Sequence, residues 1–181
     1  MKSNQIKSWE ESYSFFCKNF IGKRVIYEYE YKNQTKILEV SMKKKHFLHL
    51  CGVKYSRGAK NFARDLERGR LDPKDVIMSS SIKNVVEAKI RCIDNLKYLI
   101  SKGVRISDNG NFTNLSFDKA IRSNKDLVAL SLICTQRGDY IPNSLLNLTY
   151  TKSMASVLKN TKSVTSISVI DIETQTKRTI F

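Results

Sequence analysis

The hydrophobic period changes along this chain, and a chain that switches period folds as helices packed on a sheet. Between Ile6 and Phe20, the residues Trp9, Tyr13, Phe16, Cys17 and Phe20 recur at helical spacing and form one broad apolar face. Gly22 ends that helix. Directly after it, Val25, Tyr27, Tyr29 and Tyr31 alternate with Ile26, Glu28 and Glu30, which is the period of a strand. A polar link at 32–35 and the run Lys36–Met42 complete a β-hairpin.

His46-Phe47-Leu48-His49-Leu50, closed by Cys51-Gly52, reads as a third strand, in which histidines three apart point to opposite faces. Gly58–Arg68 reads as a helix with Ala59, Phe62, Ala63 and Leu66 on one face, stopped by Gly69. Ser79-Ser80-Ser81 caps the longest predicted helix, Ile82–Ser101, whose stripe includes Val85, Val86, Ile90, Ile93, Leu96 and the stem of Lys89. Beyond it the pattern turns to short strands. Asn109-Gly110 makes a turn between 104–106 and 112–115, and Leu127–Thr135 is a central strand followed by the loop Arg137-Gly138-Asp139. Strands near 163–170 and 177–181 flank a polar turn. The expected class is α+β: N-terminal and central helices on a mainly antiparallel sheet, in one domain over 1–181, with a helix at 1–22 and a body at 23–181.

Charge says what that domain meets. The chain carries 32 Lys+Arg against 17 Asp+Glu, a formal +15 on 181 residues. So large a surplus strains the folded state by self-repulsion and points to a polyanionic partner, nucleic acid first. Residues 1–60 hold 13 basic and 5 acidic side chains, more than half of the excess. Its peak, Lys43-Lys44-Lys45, is either a solvated turn or a phosphate-binding run. Both histidines of the chain, His46 and His49, follow it at once, and then Lys54, Arg57 and Lys60. The only side chains that titrate near neutrality therefore sit among the densest cations.

Hydrolysis of RNA without a metal needs a base for the 2′-hydroxyl, an acid for the leaving oxygen, and cations at the phosphate. His49 suits the first two roles; Lys54, Lys60 and Arg137 suit the third. The structural alternative for His49 is a histidine that satisfies a backbone carbonyl. Lys43, Lys44, Lys45, His46 and Arg57 are the expected nucleic-acid contacts. The hairpin tyrosines either stack bases or line the core. Cys17, Cys51, Cys92 and Cys134 lack metal-ligand spacing, and no Walker loop, GxGxxG or HExxH occurs, so no cofactor or metal is expected. No run approaches the roughly 18 apolar residues of a membrane span, nor does the start resemble a signal peptide, so a cytoplasmic protein with no membrane partner is expected.

The stretch His46–Lys54 resembles the Phe-x-His-Leu-Thr-Gly motif of the barnase/EndoU/colicin/RelE-like nucleases carried by phages and conjugative elements. The likeness continues through Asn61-Phe62-Ala63, Gly69-Arg70-Leu71 and Tyr140-Ile141-Pro142-Asn143-Ser144-Leu145, from about residue 25 to the end. It implies a helical N-terminal part on a four-stranded antiparallel sheet and metal-independent cleavage of tRNA or other host RNA inside a bacterial cell. The family histidine falls on His49, its glycine on Gly52, and its basic positions on Lys54 and Lys60. Cys51 stands where the family has threonine, which removes a hydroxyl from beside the histidine. The mobile-element setting also implies a second role: a non-catalytic anti-CRISPR inhibitor that binds an RNA-guided CRISPR effector nuclease or its guide RNA.

Overall fold

The structure, a computed structural model, describes residues 3–78, 83–112, 115–125, 127–149, 158 and 160–181. The first helix, α1, runs Ser3–Phe20, and β1 (Lys23–Tyr31) and β2 (Gln34–Ser41) form the expected hairpin. Its turn is shorter than the polar link suggested. Lys32 and Asn33 both take positive φ, 52° and 58°, the backbone of the two-residue turn whose twist matches paired strands.

Three short elements follow: α2 (Lys44–Cys51), β3 (Lys54–Tyr55) and α3 (Gly58–Glu67). The segment expected as a third strand is therefore a helix. Phe47, Leu50 and Cys51 lie at i, i+3 and i+4 and are all fully buried, which a helix achieves and a strand would split between two faces. Gly52, in the left-handed conformation at φ 73°, caps its end with its amide on the His49 carbonyl at 3.0 Å. A 3-10 turn at Pro73–Asp75 leads to β4 (Val76–Ile77), which pairs with β3.

The long helix expected over 82–101 is also corrected. It divides into α4 (Lys83–Ile90) and a 3-10 helix, Ile93–Ile100. The cause is a competing hydrogen bond: Nδ2 of buried Asn147 donates to the Ala88 carbonyl at 2.8 Å, so the Cys92 amide turns to Lys89 instead, at 3.0 Å. The proposed serine cap at 79–81 lies outside the described residues.

The remaining strands are β5 (Arg105–Ser107), β6 (Gly110–Phe112), β7 (Leu115–Phe117), β8 (Lys119–Arg122), β9 (Val128–Cys134), β10 (Tyr140–Asn147), β11 (Thr161–Asp171) and β12 (Lys177–Thr179). β6 and β7 form a separate hairpin, while β5, expected beside it, pairs with β8 and β11. The sheet order is β1-β2-β10-β9-β8-β5-β11-β12, and β11 pairs back onto β1. The chain thus forms a closed barrel of seven strands with β12 on its flank, not an open four-stranded sheet, and it is mixed, because β10 meets β2 in parallel at Tyr140↔Val40. Closure removes exposed strand edges. The α+β class stands.

The main core lies between the barrel and the helices. Trp9, Phe16 and Phe20 of α1 are fully buried against Phe47 of α2 and Phe62 of α3. Phe47 is the centre of this aromatic group, 5.0 Å from Tyr13, 5.3 Å from Phe16 and 6.4 Å from Phe62 between ring centroids. Tyr27 and Tyr29 are buried core residues, and the Tyr27 hydroxyl donates to the Leu99 carbonyl at 3.0 Å. They are closed to stacking on bases. A smaller cluster of Phe117, Ala120, Ala129, Leu146, Leu148 and Leu158 covers β8–β10 elsewhere. Among the described residues no helix is long and apolar enough to cross a membrane.

Candidate functional site

Burying Phe47, Leu50 and Cys51 decides which way the rest of α2 faces. His46 and His49, three residues apart on a helix, come to the same side rather than to opposite ones. They then take different tasks. His46 Nδ1 accepts the Lys43 amide at 3.1 Å, closing the first turn of α2, and burial next to Lys45 and Lys43 pushes its pKa down to about 4. It is a neutral structural cap near pH 7.

His49 is exposed, and its Nε2 donates to the main-chain carbonyl of Asn143, 94 residues away in sequence. That carbonyl is available because β10 has a bulge there: Pro142 pairs with Leu132 and Ser144 with Ser131, leaving Asn143 between them. The Asn143 side chain is itself held by the Ser116 carbonyl at 2.9 Å. The structural alternative for His49, a bond to a backbone carbonyl, is thus realised, and it has a chemical consequence. That bond takes a proton on Nε2, and among the described residues no hydrogen bond occupies Nδ1.

Beside His49 lies a pocket of about 240 Å³ that it shares with Gly52, Val53 and Lys54 from the end of α2 and β3, Ile77 from β4, and Val85, Val86 and Lys89 from α4. Sequence reasoning singled out Lys54, which lines this pocket, and left Lys89 as packing, because a lysine stem on an apolar stripe looks like core. The one signal was a cation in a row of aliphatic residues. The Lys89 stem crosses Gly52 so closely that a Cβ there would stand 2.6 Å from Lys89 Cδ. Burial lowers the Lys89 pKa, and among the described residues no carboxylate pairs with it.

The other expected residues are dispersed. Lys43 and Lys45 are exposed at the start of α2, while Lys44 is tied to Glu67 at 2.5 Å. Arg57 is committed to Asp65 at 3.1 Å and Asp75 at 2.8 Å, and it also donates to the Tyr55 hydroxyl at 2.6 Å. Lys60 is exposed on α3, and Arg137 is exposed at the tip joining β9 to β10; neither lines the pocket. Cys51, the departure from the family threonine, faces the core, with burial holding its thiol well above the ordinary range. A hydroxyl at that position of α2 would not reach solvent.

A second cavity of about 300 Å³ lies between the β6–β7 hairpin and β9, lined by Asn109, Asn111, Ser116 and Asp118 among others, without a histidine or a cation. Among the described residues no group of three His, Cys, Asp or Glu side chains is placed to hold a metal ion.

The residues that carried the likeness to mobile-element nucleases are those that meet here, His49 of the 46–54 stretch on Asn143 of the 140–145 stretch. The family model described as phage-Barnase-EndoU-ColicinE5/D-RelE like nuclease 4 matches residues 10–181. Nothing among the curated proteins or the solved structures matches the chain. Because that match covers the second half of α1, the whole barrel and every residue that lines the pocket, the chain belongs to the phage-Barnase-EndoU-ColicinE5/D-RelE like nuclease 4 family.

Proposed function

We propose that this nuclease-family protein, encoded by a mobile element, cleaves RNA at the pocket beside α2 by metal-independent transphosphorylation. The observation that carries the reading is the state of His49: oriented through Nε2 by a remote carbonyl, unoccupied at Nδ1, and next to two cations in one pocket. Nδ1 takes the proton of a 2′-hydroxyl as that oxygen attacks the neighbouring phosphorus. The bond from phosphorus to the 5′-oxygen breaks, the 5′-oxygen takes a proton from solvent at this open site, and a 2′,3′-cyclic phosphate remains. The imidazolium so formed keeps its bond to the Asn143 carbonyl, an acceptor well suited to a cation. Lys54 stabilises charge on the phosphate.

Lys43 and Lys45 stand at the start of α2, about 9 and 6 Å from His49 by helical rise, where they hold further phosphates of the strand. Lys60 and Arg137 enter only as outlying cations. Structured host RNA such as tRNA, or a guide RNA, is the substrate class.

The test is incubation with total RNA and with a defined tRNA, with and without EDTA, followed by end-group analysis. Cleavage that survives EDTA, leaves cyclic phosphate ends and falls about 10²–10⁴-fold in His49→Ala is expected. Intact RNA with the wild-type protein overturns the enzymatic reading; a stable complex with an RNA-guided effector nuclease alongside intact RNA would replace it with the inhibitor role.

A further inference from the structure

Most cations near a carboxylate in this fold are paired with it: Lys23 with Asp171, Lys44 with Glu67, Arg57 with Asp65 and Asp75, Lys119 and Lys162 with Asp108. Lys89 is placed differently. It lines a pocket, its stem passes over Gly52, and among the described residues no carboxylate reaches it. Lys89 is half-buried, and holding an ammonium partly away from water without a carboxylate partner costs stability; nothing in the packing of α4 needs the charge, since an aliphatic side chain would fill the same stripe. A cost of that kind is offset when an anion occupies the pocket.

The rest of the lining has a second character. Ile77 and Val85 are large aliphatic residues left about half exposed, 50% and 51%, at the mouth of the same pocket, with Val53 and Val86 buried behind them. Besides His49 and the two lysines, no lining side chain carries an amide, a hydroxyl or a carboxylate. A pocket of about 240 Å³ lies below the ~300–1,000 Å³ that encloses a drug-sized ligand, so it excludes a duplex and takes one unpaired nucleotide only with part of it left in solvent.

We infer that this pocket is a mononucleotide subsite in which Lys89 binds the phosphate and the exposed Ile77–Val85 surface seats the base. The inference rests on the RNA-cleaving reading above and adds the residue that holds the scissile phosphate and the rule for base choice. Without donors or acceptors aimed at a base edge, the base is held by buried area alone, so the subsite accepts purines and pyrimidines alike. An arriving phosphate supplies the counter-charge that Lys89 lacks, and its amine stays protonated in the complex. Gly52 permits this arrangement, because any side chain at position 52 would meet the Lys89 stem.

Calorimetric titration of the full-length chain with inorganic phosphate and with each of the four nucleoside 3′-monophosphates tests this, beside the Lys89→Met, Lys89→Arg and Ile77→Ser variants. The monophosphates should bind more tightly than inorganic phosphate and within about threefold of one another, since apolar contact discriminates weakly. Lys89→Met should weaken them about tenfold or more while leaving Tm unchanged or raised, Lys89→Arg should retain part of the affinity, and Ile77→Ser should remove the advantage over inorganic phosphate. Wild-type affinity in Lys89→Met overturns the inference, as does a fall in its Tm, which would make Lys89 a packing residue. RNA cleavage is measured in parallel. Undiminished cleavage by Lys89→Met beside loss in His49→Ala sinks the subsite and leaves the nuclease reading; Lys89-dependent binding with RNA left intact sinks the nuclease reading and leaves the subsite.

Discussion

Replacing Gly52 by alanine tests the local geometry on which the pocket depends, and its cost can be built from two separable contributions. The first is conformational. Gly52 sits at φ 73° as the cap of α2, a backbone that costs an L-residue about 1–2 kcal/mol. The second is steric: the new Cβ would stand 2.6 Å from Lys89 Cδ, closer than carbon atoms approach, and the Lys89 stem has to swing aside. Because that stem is flexible, we expect the second contribution to be smaller, about 0.5–1 kcal/mol, for a total of about 1.5–3 kcal/mol. For a chain of this length each kcal/mol moves Tm by about 2–4 °C, so scanning calorimetry should record a fall of roughly 3–12 °C. The two contributions separate in a double-mutant cycle with Lys89→Ala, which removes the clash and keeps the strained φ. A cycle in which the loss for Gly52→Ala is the same in both backgrounds would refute the close approach; a Gly52→Ala protein as stable as wild type would refute the left-handed cap as well.

Two further outcomes are expected. Phe47→Ala should lower stability by about 3–5 kcal/mol in urea unfolding, because Phe47 is fully buried and touches Tyr13, Phe16 and Phe62, and a loss under about 1 kcal/mol would contradict the anchoring of α2 through this ring. His46 has a folded pKa near 4 against about 6.5 in the unfolded chain, so the unfolded state binds the extra proton between those values. Its contribution is therefore complete above pH 6.5 and is lost as pH falls toward 4, by no more than about 3 kcal/mol; the difference in urea midpoint between wild type and His46→Gln should shrink over that window, and a constant difference would contradict the capping role.

Much of the fold was legible in the chain, and the errors share one cause. The hairpin of β1 and β2, the helices α1 and α3, the central strand β9 and the β11–β12 pair follow from periods of 3.6 and 2 sustained over enough residues to be unmistakable. The segment 44–51 is too short for period alone, since Phe47, Leu48 and Leu50 suit either pattern. What selects the helix is an aromatic nest assembled from Tyr13 and Phe62. Likewise the stripe over 82–101 is helical throughout in pattern, and the break comes from Asn147, 59 residues on, taking the Ala88 carbonyl. The open sheet became a barrel because β11 returns to β1, a pairing between chain ends that no local signal encodes.

The site divides along the same line. His49 and Lys54 were visible as candidates, a histidine among cations, and the likeness at 46–54 and 140–145 marked the two stretches that meet. Which nitrogen of His49 is bound, the sealing of Cys51 into the core, the diversion of Arg57 to Asp65 and Asp75, and the arrival of Lys89 in the pocket were decided by the folded chain. Residue type, spacing and charge are local properties and can be read in order. A hydrogen-bond partner, a counter-ion or a cavity wall comes from residues tens of positions away, and only packing determines which of them arrive.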